Sequence, residues 1–197
     1  MLVCDYGKAP RPHIPFPYYA EAWTGLEHST AALMFYSGMI PQGVEYVENL
    51  RARYDGVKRN PWDEAECGHH YARAMSSWSS VVALSGFHYE GDRGHVSALP
   101  RLPQENFHCF WATGTGWGTY SLKRTQSGAV HLTIQTLAGA LPCKSCTLAA
   151  PGSRATAQVG AKAITTRLER SKGQVTVYLA DPVQLGEGDQ LEIAIAG

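Results

Sequence analysis

The chain has 197 residues, and its 17 Lys and Arg balance 17 Asp and Glu to a formal net charge of zero. At 44% hydrophobic and 17% charged, it lacks the hydrophobe-poor, highly charged composition that keeps a chain disordered. Balanced charge without a basic run also argues against a dedicated nucleic-acid binder, whose affinity comes from neutralising phosphates.

The charged fraction falls below the roughly 25% of ordinary soluble domains, which predicts that something else covers part of the surface. No run reaches about 18 consecutive apolar residues, so no transmembrane segment is expected. Met1 to Pro17 carries Asp5, Lys8 and Arg11 and lacks the apolar core of a signal peptide. Five cysteines, an odd count, fit reduced thiols in a cytoplasmic protein. Cys143-Lys-Ser-Cys146 has no second pair at finger-like spacing, so neither a metal nor a cofactor is expected.

Residues 1–18 read as an irregular N-terminal segment and 19–92 as helical. The first helix is predicted over Ala20 to Ser37, with Gly38 as its C-terminal stop. The second runs from Pro41 to Tyr54, with Val44, Val47, Leu50 and Tyr54 recurring every three or four residues and Glu45, Glu48, Arg51 and Arg53 on other faces. After the Asn60-Pro61 turn a third is predicted from Glu66 to Ser85, stopping at Gly86. Ala74 to Phe87 carries no charge, and the first helix is uncharged from His28 onward. Helices without a polar face are expected to be buried on all sides. Tyr71, Met75, Trp78 and Val82 accordingly read as a core stripe. The order buried, amphipathic, buried is what an α/α toroid produces; a two-layer helical bundle is the alternative.

Residues 93–112 read as a connector, with two prolines between Pro100 and Gln104. From 113 to 197 the period changes to two. Thr119 to Lys123, Val130 to Gln135, Val175 to Leu179 and Leu191 to Ile195 alternate apolar and polar residues. Ser145 to Leu148 and Ala163 to Arg170 are weaker strand candidates. Ser127-Gly128, Lys172-Gly173 and Glu187-Gly-Asp189 supply turns. The fold class is α+β, with a small antiparallel sandwich or sheet of five or six strands after the helices.

Polar residues of the uncharged helices gather at their N-terminal ends: Glu21, Trp23, Glu27 and His28 on the first, Glu64, Glu66, His69, His70 and Arg73 on the third. Carboxylates, an arginine and an aromatic form the toolkit of a sugar site, since carboxylates hold hydroxyls and aromatic faces stack on sugar rings. His69 and His70 are adjacent, point about 100° apart on a helix, and read as buried hydrogen-bonded histidines rather than ligands of one metal. Glu64 and Arg73 would be half a turn out of phase and about 13 Å apart on one continuous helix. They converge only if Glu64 lies in a non-helical entry after Pro61. The glycines of Gly114 to Gly118 make a turn and not a phosphate loop, because no Gly-Lys-Ser/Thr follows.

The stretch Arg59-Asn-Pro-Trp-Asp-Glu-Ala-Glu-Cys-Gly-His-His-Tyr-Ala-Arg-Ala-Met75 resembles the C-terminal signature of glycoside hydrolase family 116, the non-lysosomal glucosylceramidase and β-glucosidase group. Glu21-Ala-Trp-Thr-Gly25 and Arg53-Tyr-Asp-Gly56 follow that family's order and rough spacing. The resemblance is close over residues 19–88 and looser through Trp117-Gly-Thr-Tyr120 into the strands. It implies an (α/α)6 barrel that removes β-linked glucose with retention, a chemistry that uses two carboxylates. It also implies that Glu64 and Arg73 bind glucose and that both catalytic carboxylates lie upstream of the matched part. Asp63 departs from the family, which has Asn at many counterparts.

The chain therefore resembles a C-terminal portion of such an enzyme, with no catalytic residue of its own. The expected partners are a β-glucoside or glucosyl lipid substrate and either the missing N-terminal catalytic portion or a second copy. One alternative is a non-catalytic carbohydrate-binding or structural module in which the sheet does the work. Another is a self-sufficient hydrolase drawing its carboxylates from Glu21, Glu27, Glu64 and Glu66.

Overall fold

The structure, a computed structural model, describes residues 10, 13–14, 22–64, 73–102 and 104–196. The chain divides into two compact units, Met1–Leu84 and Ser85–Gly197. The mixed α+β class is as expected.

The first unit holds α1 (Thr24–Tyr36), α2 (Ile40–Arg51) and all but the last residue of α3 (Ala74–Ser85). The α1 helix stops at the predicted glycine: Gly38 takes a φ of +80°, and its amide donates to the Phe35 carbonyl at 3.1 Å. Pro41 sits in the first turn of α2, where its missing N–H costs no helical bond. A small core of Ala31, Ala32, Phe35 and Ala83 joins the helices, flanked by Ile40, Tyr46, Val47 and Leu84. The first half of the third predicted helix, with Glu66, His69, His70 and Tyr71, lies outside the described residues.

Burial corrects one expectation. The uncharged helices are not covered on all sides: Leu33 and Tyr36 of α1 are exposed, as are Trp78 (53%), Val82 and, at 85%, Met75 of α3. Met75, Trp78 and Val82 of the expected core stripe thus face outward, while Ser80 and Ala83 of the same helix face in; Tyr71 lies outside the described residues. A 3.6-residue period shows that a helix has stripes; in a helix with no charged face, it does not say which one is packed.

The second unit contains eleven strands among the described residues. They are β1 (Phe87–Glu90), β2 (His95–Ala98), β3 (Asn106–Ala112), β4 (Gly116–Arg124), β5 (Val130–Gly139), β6 (Leu141–Ala149), β7 (Arg154–Val159), β8 (Lys162–Ile164), β9 (Thr166–Ser171), β10 (Gln174–Leu185) and β11 (Gln190–Ala196). A five-stranded sheet runs β1-β2-β6-β10-β9 and a six-stranded sheet β3-β4-β5-β11-β7-β8. Pairing is antiparallel except between β2 and β6.

Alternate residues of both sheets meet in one core. Val96, Cys146, Leu148, Val175 and Val177 come from the first sheet, and Trp111, Tyr120, Leu132, Ile134, Leu191 and Ile193 from the second. Phe87 stacks on Trp111 with centroids 5.9 Å apart and tilts against Tyr120 at 5.6 Å. Trp111 donates its indole N–H to the Gln135 carbonyl at 3.1 Å, so its one polar group is satisfied inside the core. The architecture is a two-sheet sandwich.

Three boundaries differ from the reading of the sequence. Strand β1 lies inside the span 19–92 read as helical, and β2 and β3 lie inside the connector 93–112. Chain reversals beside the short β1 and β2, and apolar residues on both faces of β3, hide the period of two. Ala163 to Arg170 splits at Thr165 into β8 and β9, on different sheets.

Gly86 joins α3 to β1 with a φ of +62°, and a Cβ there would stand 1.9 Å from the Leu99 carbonyl oxygen. Gly38 is equally left-handed, but a Cβ there meets nothing within 4 Å. Gly38→Ala should therefore cost about 1 kcal/mol, the left-handed penalty alone, and Gly86→Ala about 2–4 kcal/mol, since overpacking is added. Equal losses in urea unfolding of the two variants would contradict the packing at Gly86.

Candidate functional site

The first unit encloses a hollow of about 430 Å³ lined by His28, Val47, Arg51, Pro61, Trp62, Glu64, Arg73, Ser77, Ser80 and Val81. Helical spacing explains much of that lining. Arg73, Ser77, Ser80 and Val81 fall at i, i+4, i+7 and i+8, one face of α3 and its entry. Thr24 and His28, four apart, share a face of α1 in the same way.

Glu64 arrives by a different route. Asn60 folds the chain into a turn: its side-chain oxygen accepts from the Trp62 amide at 3.0 Å, and its carbonyl from the Asp63 amide at 3.1 Å. Glu64 follows in non-helical chain and is 4% exposed. Its carboxylate accepts the hydroxyl of buried Thr24. Arg73 lies just before α3, and its carbonyl accepts the Ser77 amide at 3.2 Å. Its side chain runs beside Gly25, where a Cβ would come within 3.2 Å of Arg73 Cδ and Nε. The structure thus brings Glu64 and Arg73 to one hollow, with Glu64 in the non-helical entry on which that convergence depended. It does so without the continuous helix that would have set them out of phase.

Other expected residues are placed otherwise. Glu21, Glu66, His69 and His70 lie outside the described residues. Glu27 is buried and does not line the hollow; both its oxygens accept from the Arg53 guanidinium, one of them at 3.3 Å. Burial works to raise the Glu27 carboxyl, but hydrogen bonds and charge, those of Arg53 foremost, hold it below its ordinary value. Trp23 takes the cap position of α1. Trp62, 75% exposed, is the aromatic on the lining. Sequence reasoning left Ser80 unassigned. Its position at i+7 from Arg73, on the same face of an uncharged helix, was the available signal.

His28 is buried, with Glu64 and Arg51 close enough to act on it by charge. Burial pushes its imidazole below the ordinary range; Arg51 adds to this, and Glu64 and Glu27 partly offset it.

The sheet alternative has a polar hollow of about 460 Å³ in the second unit, lined by residues that include Arg93, His95, Ser145, Thr147, Thr176 and Tyr178. Its groups largely satisfy one another. His95 Nδ1 pairs with Ser145 Oγ at 2.7 Å, Nε2 with Thr147 Oγ1 at 3.2 Å, and Thr147 with Thr176 at 2.7 Å. A closed hydroxyl–imidazole network has less left to offer a ligand than a hollow with a carboxylate and a guanidinium on its wall. Cys143 and Cys146 lie in the sandwich core with sulfurs 3.5 Å apart.

No protein-family model matches the chain, and no curated protein matches it. Similar solved structures include an α-L-rhamnosidase from Dictyoglumus thermophilum at 12% identity, covering 78% of this chain and 20% of that one, with a TM-score of 0.35. A GH127 β-L-arabinofuranosidase from Geobacillus stearothermophilus T6 aligns at 14% identity over 74% of this chain and 22% of its own, with a TM-score of 0.31. A further GH127 β-arabinofuranosidase aligns at 9% identity over 66% and 21%, with a TM-score of 0.35. The chain spans about a fifth of the length of each.

The Glu27–Arg53 pair yields a pH-dependent expectation. Because the folded carboxyl lies below its ordinary 4.5, the pair's contribution is present above that pH and is lost as pH falls through the folded value. Arg53→Met, which leaves Glu27 buried beside an apolar chain, should cost about 1–3 kcal/mol at pH 7, less than for a fully buried pair because Arg53 is partly exposed. The deficit should shrink as pH falls from 4.5 through the folded value. A deficit in urea unfolding that stays constant from pH 7 to pH 3 would show that the pair does not carry it.

Proposed function

We propose that the chain supplies one wall of the sugar subsite of a retaining β-glucosidase- or glucosylceramidase-like glycoside hydrolase, with Glu64 and Arg73 as its glucose-binding residues. The reading is carried by one observation: two residues nine apart, implied as glucose ligands by the family 116 resemblance, line the same hollow. A carboxylate accepts hydrogen bonds from neighbouring hydroxyls and a guanidinium donates to their oxygens, so the pair suits a polyol in both directions. Trp62 at the rim offers a face for the apolar side of the ring.

The role of this wall is binding and orientation. Retaining hydrolysis needs a nucleophile and an acid/base about 5–5.5 Å apart, and the acid must keep a raised pKa. Glu27, held low by Arg53, does not suit the acid's part. The reacting carboxylates are assigned to another portion of the enzyme. The exposed apolar residues Leu33, Tyr36, Met75 and Trp78 fit a surface covered by that portion or by a second copy.

The purified chain should not hydrolyse 4-nitrophenyl β-glucoside. It should bind D-glucose weakly, and Glu64→Gln and Arg73→Met should each weaken that binding about tenfold or more, as loss of a charged hydrogen-bond partner does. Turnover that survives rigorous purification and disappears in Glu64→Gln would overturn the assignment of catalysis elsewhere. Glucose binding indifferent to both substitutions would overturn the site.

A further inference from the structure

Among the described residues, His28 Nδ1 and Ser80 Oγ are buried side-chain atoms without a hydrogen-bond partner, and both residues stand on the wall of the same hollow. His28 is 2% exposed and Ser80 9%. They come from different helices, α1 and α3, so no local turn accounts for the coincidence. Buried polar groups in native proteins are nearly always paired, and those that are not call for a specific reason. Here the reason and the place coincide, because both residues line the hollow that Glu64 and Arg73 also line.

We propose that His28 and Ser80 are ligand-binding residues that, with Glu64 and Arg73, grip a neutral polyhydroxylated ligand from a second set of contacts. The inference rests on the sugar-subsite reading and adds two residues to it. A serine hydroxyl both donates and accepts, and a neutral imidazole nitrogen does one or the other according to its tautomer. Two such groups match the amphoteric hydrogen bonding of hydroxyls better than the acceptor-only character of an anion. Burial keeps the His28 ring towards its neutral form, so it adds no charge to the wall. Arg51, at the exposed edge, supplies a further donor.

The test uses the full chain and D-glucose, followed by the ring-nitrogen NMR signals of its eight histidines, with His28 assigned through its substitution. Glucose should shift the His28 Nδ1 signal. His28→Phe and Ser80→Ala should each weaken binding about three- to tenfold, the range for one neutral hydrogen bond. His28→Asn, whose amide nitrogen replaces Nδ1, should recover most of the affinity. A merely structural histidine would give no ligand-dependent shift and no such rescue. If glucose binds and Glu64→Gln abolishes it, while the His28 signal and the His28→Phe affinity stay unchanged, the inference fails and the subsite reading stands. If the wild-type chain does not bind glucose, the reading fails and takes the inference with it.

Discussion

The hydroxyl of Thr24 donates to the Glu64 carboxylate, and this bond ties the start of α1 to a stretch forty residues later. A carboxylate this buried needs donors, since taking an ion out of water without them is costly. The geometry around it follows. The Asn60 turn leads Glu64 into the α1 side of the unit in non-helical chain. Thr24 then fixes the carboxylate one helical turn from His28. Gly25, next in sequence, leaves room beside it for the Arg73 side chain. Polar residues from α1, the Asn60 turn and the entry of α3 thus meet in a hollow that helix packing alone would fill with apolar groups.

The two units differ in how they are held. The sandwich has two sheets that share a core of large aliphatic and aromatic side chains, and its strands find ladder partners. Among the described residues, the cluster that joins the helices of the first unit is three alanines and one phenylalanine, with Leu50 and Tyr54 buried besides. Small side chains let helices approach closely but remove little apolar area from water. That unit leans more on polar ties such as Glu27 with Arg53 and Ser79 with the His28 carbonyl, the latter at 3.5 Å. An exposed ion pair contributes little, but one with its carboxylate buried contributes more.

The parts of this structure legible in the sequence are those where one local signal is strong. Gly38 stopping α1, Lys172-Gly173 turning β9 into β10 with two positive φ angles, and the alternation of β4, β5 and β11 were all readable. The shared placement of Glu64 and Arg73 was readable only with two signals together: the Asn60-Pro61 turn, which allowed Glu64 a non-helical entry, and the family resemblance, which implied the pair. The strand β3 was not, because Phe110 points outward while Phe107 and Trp111 point in, leaving no polar alternation to see. The strands β1 and β2 have four residues each, too few to show a period. The role of Ser80 depends on a partner helix, which sequence spacing cannot supply.

The outward stripe of α3 shows a further limit and also what lies behind it. A helix is uncharged because evolution met no need to solvate its faces, whereas burial is a property of whatever is packed against it at the time. Here α2 turns Glu45, Glu48 and Arg51 to solvent. By contrast α1 and α3, in the same unit, turn out Leu33, Tyr36, Met75 and Trp78. A composition effect spread over the chain would have given all three helices similar outer faces. The difference falls between helices of one unit, all three of which contribute to the wall of the hollow. Under the proposed reading the two features have separate uses: the hollow that all three helices help to line takes the ligand, and the apolar outer faces of α1 and α3 take the neighbour.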